Sequence, residues 1–468
     1  MKLEMLSDET AYRQLVKTLK AAGKPVTAAD VTARSALPLE QVKALLPRAA
    51  DEFSAALEVT ESGEICYSFP RGFSSRYTGA AARWKRFCHA AGTGLKAALS
   101  LFFKIWIMAM LVGYFALFVL IALAALFFLV AASSSGKNRR NNRDDDGGGI
   151  NFSGLLNGLF RFWFYSNVFG GQSYRRSGRA AEPGVPLYKQ VFSFVFGDGD
   201  PNAGWDQKLG RVLIAYIRSH RGVISLPEFI ALSGLGPAEA DKALLSACVK
   251  YGGSPEASDE GTVVYRFDEI LLGEAEAGGR LPGPEKARWK FSSNKSSSNA
   301  AFALINAVNL GFGAYFLYFA LNSQAAAGSD IAYLFLFVYS VLYNAGVTSF
   351  VPIGAGLGIV PLLFSFLFWL IPALRNAGLE SKNRRIEKEN RRKKTAAAIW
   401  KNPLEARAAL GEDLIVELGT YSQPEVTVDE QGAAYSFREL LREKTALENY
   451  RAQVKVRELG NTVFSSED

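Results

Sequence analysis

Two long apolar blocks constrain this chain more than anything else in it. The first runs from Leu99 to Ala132 with one charged residue, Lys104; the second runs from Ala300 to Leu374 with one, Asp330. A bilayer core takes about 20 apolar residues per helix, and soluble helices rarely run to about 18 without a charge. Hydrophobic residues make up 49% of the chain, so the signal lies in how they are distributed and not in their total. The expected fold class is an α-helical integral membrane protein, multi-pass, with small soluble modules around the blocks.

The first block starts too deep in the chain for a cleaved signal peptide, and the stretch MKLEMLSDET has no apolar core. Cys66, Cys88 and Cys248 lie far apart without a CxxC, and His89 and His220 are isolated. Neither a disulfide framework nor a zinc site is expected, and no cofactor. The P-loop, dinucleotide-binding, HExxH and GxSxG patterns do not occur, so no catalytic residue is nominated and no enzyme is expected.

Internal repetition is the next feature. VTAADVTARSALPLEQVKALLPRAADEF is followed by ALEVTESGEICYSF, and VISLPEFIALSGLGPAEADKALLSACVKYGG by SDEGTVVYRF; EVTVDEQGAAYSF repeats the finish near the end. Each finish places a glycine (Gly63, Gly261, Gly432) ahead of Tyr-x-Phe, which reads as a β-hairpin with Tyr67, Phe69, Tyr265, Phe267, Tyr435 and Phe437 turned inward. Thr27 and Ser225 suit helix N-caps, and Leu39 and Pro237 suit the opening of a third helix. Three helices and a hairpin are the order of a winged-helix domain, and the first two modules resemble that family. The third copy is degenerate, because two helices are hard to place between Thr395 and Ser422.

Winged helices often bind DNA, which requires cations that neutralise phosphates. Here Val26–Phe69 holds 3 Lys/Arg against 7 Asp/Glu, a net charge of −4; Trp205–Gly273 holds 7 against 9, a net of −2. Thr395–Leu441 holds 3 against 8, a net of −5. Glu40, Asp51, Glu52, Glu239 and Asp241 occupy the third helices where a DNA reader needs arginine and lysine. Nucleic acid is therefore not an expected partner.

The chain is nonetheless +8, and its cations gather beside the apolar blocks. The flanking basic residues include Arg83, Lys85 and Arg86, then Arg139 and Arg140, then Lys290, then Arg384, Arg385, Arg391 and Arg392. Such flanks mark the cytoplasmic side and attract anionic lipid headgroups. Both sides of both blocks are basic, so each block is expected to cross an even number of times or not at all. As one helix the first block would be ~50 Å long against a core of ~30 Å, so it is either one long tilted helix projecting from the bilayer or a hairpin bending near Gly113, and the even-crossing scheme requires the hairpin. The second divides into two or three helices, with the stretch carrying Pro352, Gly354, Gly356, Gly358 and Pro361 the one expected to break. That places all three modules and both termini in the cytoplasm of a bacterial cell. The rival scheme, one span followed by three, exports residues 133–301.

After the hinge SSSGKNRRNNRDDDGGG comes INFSGLLNGLFRFWFYSNVFGG, which suits either an interfacial helix or a segment packed on the protein's own modules. Next, VFSFVFGDGDPN resembles a segment of multi-pass membrane proteins of bacteria, including cyanobacteria, and of plastids. That resemblance covers a dozen residues and implies a membrane protein with no catalytic residues to carry over. Asp198, Asp200 and Asn202 alternate as in the start of a calcium loop and are the weak metal candidates. An EF-hand would need glycine at 203 and glutamate at 209, where this chain has Ala203 and Leu209. A turn that stops the element ending at Phe196 and caps a helix near Trp205 is the better reading.

The organisation expected is a module at 1–70, a basic segment at 71–98, membrane block 99–132, and hinge, aromatic segment and turn at 133–204. A second module at 205–273, a basic linker at 274–299, membrane block 300–374, a basic segment at 375–394 and a third module with a C-terminal helix at 395–468 complete it. A membrane-anchored interaction or scaffold protein is the leading expectation, with an unidentified protein partner or self-association. A channel or small transporter built on 300–374 is the alternative.

Overall fold

The computed structural model describes residues 7–70, 72–76, 80–134, 185–273, 279–327, 329–407, 411–429, 432–456 and 459–466. The hinge and aromatic segment of 135–184 therefore lie outside the described residues. The chain divides into two units: one of 1–85, 201–288 and 382–468, the other of 86–200 and 289–381.

The first unit contains the modules. The N-terminal one is α1 (Asp8–Ala22), α2 (Ala28–Ser35), α3 (Leu39–Phe53) and the hairpin β1 (Ala56–Thr60) with β2 (Ile65–Ser68). Thr27 and Asp30 form a capping box that starts α2, satisfying amides the first turn leaves without partners. The middle module places α6 (Trp205–Ser219), β3 (Val223–Ile224), α7 (Leu226–Ser233), α8 (Pro237–Tyr251) and hairpin strands β4 (Ser254–Ala257) and β5 (Val263–Arg266) in the same order. Glu228 accepts from the Ser225 amide at 3.1 Å, the reciprocal half of such a box, and Pro237 opens α8. In both hairpins the turn glycine has positive φ, 81° at Gly63 and 80° at Gly261, the conformation a tight turn demands.

The third module starts on the end of helix α11 (Val360–Lys401). It continues through β6 (Ala406–Arg407), a single helix α12 (Glu412–Gly419), hairpin strands β7 (Glu425–Asp429) and β8 (Gly432–Ser436), and α13 (Arg438–Gln453). Among the described residues it has one helix where the others have two. Its sheet order β6-β8-β7 matches β3-β5-β4, with the short early strand beside the second hairpin strand. In the first module a bridge from Val26 to Tyr67 takes that role. The Tyr-x-Phe finishes are inward: Tyr265 and Tyr435 are 4% exposed, Phe267 0% and Phe437 1%. One strand was not foreseen: β9 (Thr462–Ser465) adds to the free edge of β1.

In the second unit the first apolar block is one continuous helix, α4 (Ala80–Ser134), that passes straight through Gly113. The expected hairpin is thus overturned. A lone glycine costs a helix only about 1 kcal/mol, too little to force a turn in an apolar run with no polar break. Among the described residues three helices are long and apolar enough to span a membrane: Gly94–Ala131, Ser296–Leu321 (α9) and Val351–Lys401. Between the last two lies α10 (Tyr333–Asn344), 12 residues and thus about 18 Å, too short for the core.

The glycine- and proline-rich stretch expected to break stays helical. Val351–Ile353 runs into a π-helical turn, Gly354–Ile359, and then into α11. Pro352 lies in the first turn, where no amide partner is required. The glycines serve close packing instead: a Cβ on Gly358 would sit 3.0 Å from the Leu317 backbone, and one on Gly313 3.2 Å from Leu362 N. Asn306 Nδ2 donates to Ser365 O at 3.0 Å and Asn309 Nδ2 to Leu111 O at 2.7 Å; both side chains are fully buried and tie α9 to its neighbours.

Candidate functional site

The VFSFVFGDGDPN segment resolves into packing. VFSFVF lies in helix α5 (Leu187–Phe196), with Val191, Ser193 and Val195 buried and Phe194 stacked on Phe368 at 5.3 Å. Arg375 donates to Ser193 O, Phe194 O and Phe291 O, and of these Phe194 O is a carbonyl left open at the end of α5. Gly197 has φ 79°, and a Cβ there would meet the Arg375 guanidinium at 2.5 Å, so glycine is required on two counts. Asp198 accepts from Ser293 N at 2.7 Å. Asn202 pairs with both backbone groups of Ala287, at 2.8 and 2.9 Å. Their polar atoms organise loops, and the described residues hold no cluster of three or more His, Cys, Asp or Glu suited to a metal.

The three modules meet through two different joints. Between the first and middle modules, Arg218 pairs with Asp30 at 3.1 Å with side chains only 5% and 8% exposed. Thr27 Oγ1 donates to Leu272 O, and Lys43 pairs with Glu269, each at 2.7 Å. The middle and third modules instead share one hydrophobic core, which runs from Leu213, Phe229 and Phe267 to Ile399, Trp400, Phe437 and Leu447. Beside it, Arg451 donates to Glu228 at 2.7 Å and Glu228 accepts from the Tyr216 hydroxyl at 2.7 Å. Burial, with the Glu228 charge beside it, holds the Tyr216 phenol well above its ordinary range, so it remains a donor.

The flanking cations, read from the sequence as charges that mark the membrane side and attract lipid headgroups, differ in burial and partners. Lys290, Arg384, Arg385 and Arg391 are exposed; Arg385 pairs with Glu389 at 3.3 Å and Arg391 with Asp413 at 3.5 Å. Arg392 is corrected: it is 6% exposed and donates to Gly234 O at 2.7 Å and to Glu417 at 2.5 Å, inside the second joint. Lys393 is fully buried, its ammonium 4.5 Å from the Trp205 ring centroid and donating to Pro284 O. The helical period in RRKKTAAAIW, which turns 392, 393, 396 and 399 toward one side, was the signal that could have found them. The side chains of Arg83, Lys85 and Arg86, and residues Arg139 and Arg140, lie outside the described residues.

The middle module exposes apolar side chains on its third helix and hairpin, where a nucleic-acid reader is basic. On α8, Leu245 is 43% and Val249 73% exposed, with Val263 on β5 at 53%. The third module presents Val416, Val426 and Val428. On α3 the cations are engaged, Lys43 with Glu269 and Arg48 over the Tyr12 ring at 4.4 Å. Cys248 is buried, which pushes its thiol up to about 11 and leaves it unreactive at neutral pH.

The architecture at this point is a mostly helical chain with membrane-length apolar helices and small three-stranded sheets. No family model matches it, and no solved structure matches. It is similar to a chloroplastic protein of Arabidopsis thaliana described as uncharacterised, 25% identical over 403 residues, covering 81% of this chain and 71% of that one.

Proposed function

We propose that this chain is a membrane-anchored interaction protein whose winged-helix-like modules bind a protein partner. The observation that carries it is the exposed Leu245, Val249 and Val263 on the helix-and-hairpin face of an otherwise acidic middle module. Apolar side chains at a rim of acids suit a protein surface and repel a polyanion. The apolar helices and their cationic flanks hold the modules at an anionic bilayer.

The modules share one side of the membrane, the cytoplasmic side of a bacterial envelope, with both termini. Contacts such as Asp30–Arg218 support this, because the partners stand before and after α4 in the chain. A cysteine at the exposed Asp259 should resist an impermeant maleimide in intact cells and react after lysis; labelling in intact cells would overturn the sidedness.

The partner reading is tested with the double variant Leu245→Asp/Val249→Asp in native membranes. A stoichiometric protein should co-purify with the unaltered chain and be lost from a variant of unchanged melting temperature. Solute flux through reconstituted protein, with no co-purifying protein, would favour the channel reading.

A further inference from the structure

The second unit carries an open groove between α4, α10 and the π-helical turn that precedes α11, with a volume of about 770 Å³. Along α4 it runs from Ala109 to Ala124, fifteen residues and so about 22 Å, which makes it a trough rather than a compact pocket. Leu117 and Leu120 of α4 and Val341 of α10 line it and are exposed. Among the lining side chains the one hydroxyl is that of Tyr114, and it donates to Gly356 O at 2.9 Å, tying α4 to the π-helical turn. The whole α4 wall falls inside Gly94–Ala131, a helix of membrane length.

Two glycines, Gly113 from α4 and Gly356 from the π-helical turn, hold the trough open. Neither has a positive φ, and a Cβ added to either would meet nothing within 4 Å. Gly354 and Gly358, on either side of Gly356, differ: a Cβ on each would sit 3.0 Å from α9. Glycine costs a helix about 1 kcal/mol relative to alanine, and neither backbone geometry nor close packing calls for it at 113 or 356. Room in the trough does. The π-helical turn points the same way, since such turns gather at functional sites.

We propose that this groove holds an acyl chain of a membrane phospholipid as a bound molecule. The proposal rests on the reading of the apolar helices as membrane-spanning. At that depth hydrocarbon is the solvent, and phospholipid is the most concentrated molecule that can enter. The volume lies in the range of small-molecule sites, while an elongated apolar trough whose hydroxyl is already bonded matches a chain and offers nothing to orient a polar solute.

The test extracts the full chain from native membranes in mild detergent, exchanges the detergent and counts bound lipid by native mass spectrometry. One phospholipid per chain is expected on the unaltered protein. Gly113→Leu, and from the other wall Gly356→Leu, fill the trough and should each cut that occupancy about tenfold. Gly113→Ala, which adds a single methyl group, should keep it. The delipidated chain should melt higher when phosphatidylglycerol is added, and the leucine variants should melt at one temperature with or without it. Equal retention in the leucine variants, no phospholipid on the unaltered chain, or a second copy or a molecule without acyl chains in its place would overturn the proposal. Release of the chain from membranes by alkaline carbonate would overturn the membrane-spanning reading and this proposal with it; a chain that stays in the membrane but fails the lipid measurements sinks the groove alone.

Discussion

The two joints of the module unit solve the same problem with opposite chemistry. The middle and third modules fuse their cores, so that Phe267 and Phe437 belong to one cluster. The first module keeps a core of its own, around Leu15, Leu37, Val42 and Leu46. It meets the middle module through a buried ion pair, a few hydrogen bonds and small apolar contacts such as Ala33. A shared apolar core makes two modules one cooperative body, because neither can unfold without exposing the other. A polar joint fixes orientation but contributes little net stability, since desolvation offsets most of its attraction. The middle and third modules should therefore melt together, and the first should be separable from them.

The largest expected effect is at Phe437. Phe437→Ala should cost about 3–5 kcal/mol and lower the melting of the middle module along with the third. Hydrogen exchange would report it: loss of protection confined to the third module would show that the core is not shared.

Next is Asp30→Ala, which leaves Arg218 buried without its carboxylate and should cost about 3 kcal/mol, felt in the first and middle modules. Adding Arg218→Met should recover most of that loss, because the uncompensated charge is gone. A double variant as unstable as the single would mean the pair matters for more than its own charge balance.

Lys393 gives a smaller effect with a defined pH dependence. It lies beyond the apolar part of its helix, which ends at Leu374. Burial, together with the Lys286 charge beside it, pushes its pKa down from 10.5 to about 8. The folded state therefore binds this proton less readily than the unfolded chain. The stability linked to Lys393 is complete above about 10.5, falls as pH drops toward about 8, and is flat below that. Lys393→Met should raise the melting temperature at pH 7 and flatten the rise between pH 8 and 10. An unchanged pH profile would refute the assignment.

The smallest effect concerns β9. Its apolar side chains point outward, Val463 68% and Phe464 61% exposed, so backbone bonds hold it to β1 with little burial. Deleting residues 459–468 should cost only about 1 kcal/mol. It should also unprotect the amides of Glu61 and Ser62, which now donate to Asn461 O and Leu459 O. A large drop in melting temperature would show that the tail supports more than an edge.

Local chemistry was legible in the chain wherever one segment carried the whole instruction. The membrane blocks, the caps at Thr27 and Ser225, the opening of α8 at Pro237, and the inward Tyr-x-Phe hairpins follow from apolar runs, capping geometry and strand alternation. The reduced third module was legible for the same reason, as a missing helix between Thr395 and Ser422. The tertiary structure alone decided what distant segments do to each other. Gly113 stayed within a straight helix because no turn was needed there. The glycines near 356 serve close packing because α9 lies against them, and Arg392 turned inward because Gly234 O and Glu417 wait for it. β9 found the edge of β1 some 400 residues earlier in the chain. Asp30 and Arg218, 188 residues apart, carry no sign of their meeting in the sequence, because the attraction between them is set by a distance only the fold supplies.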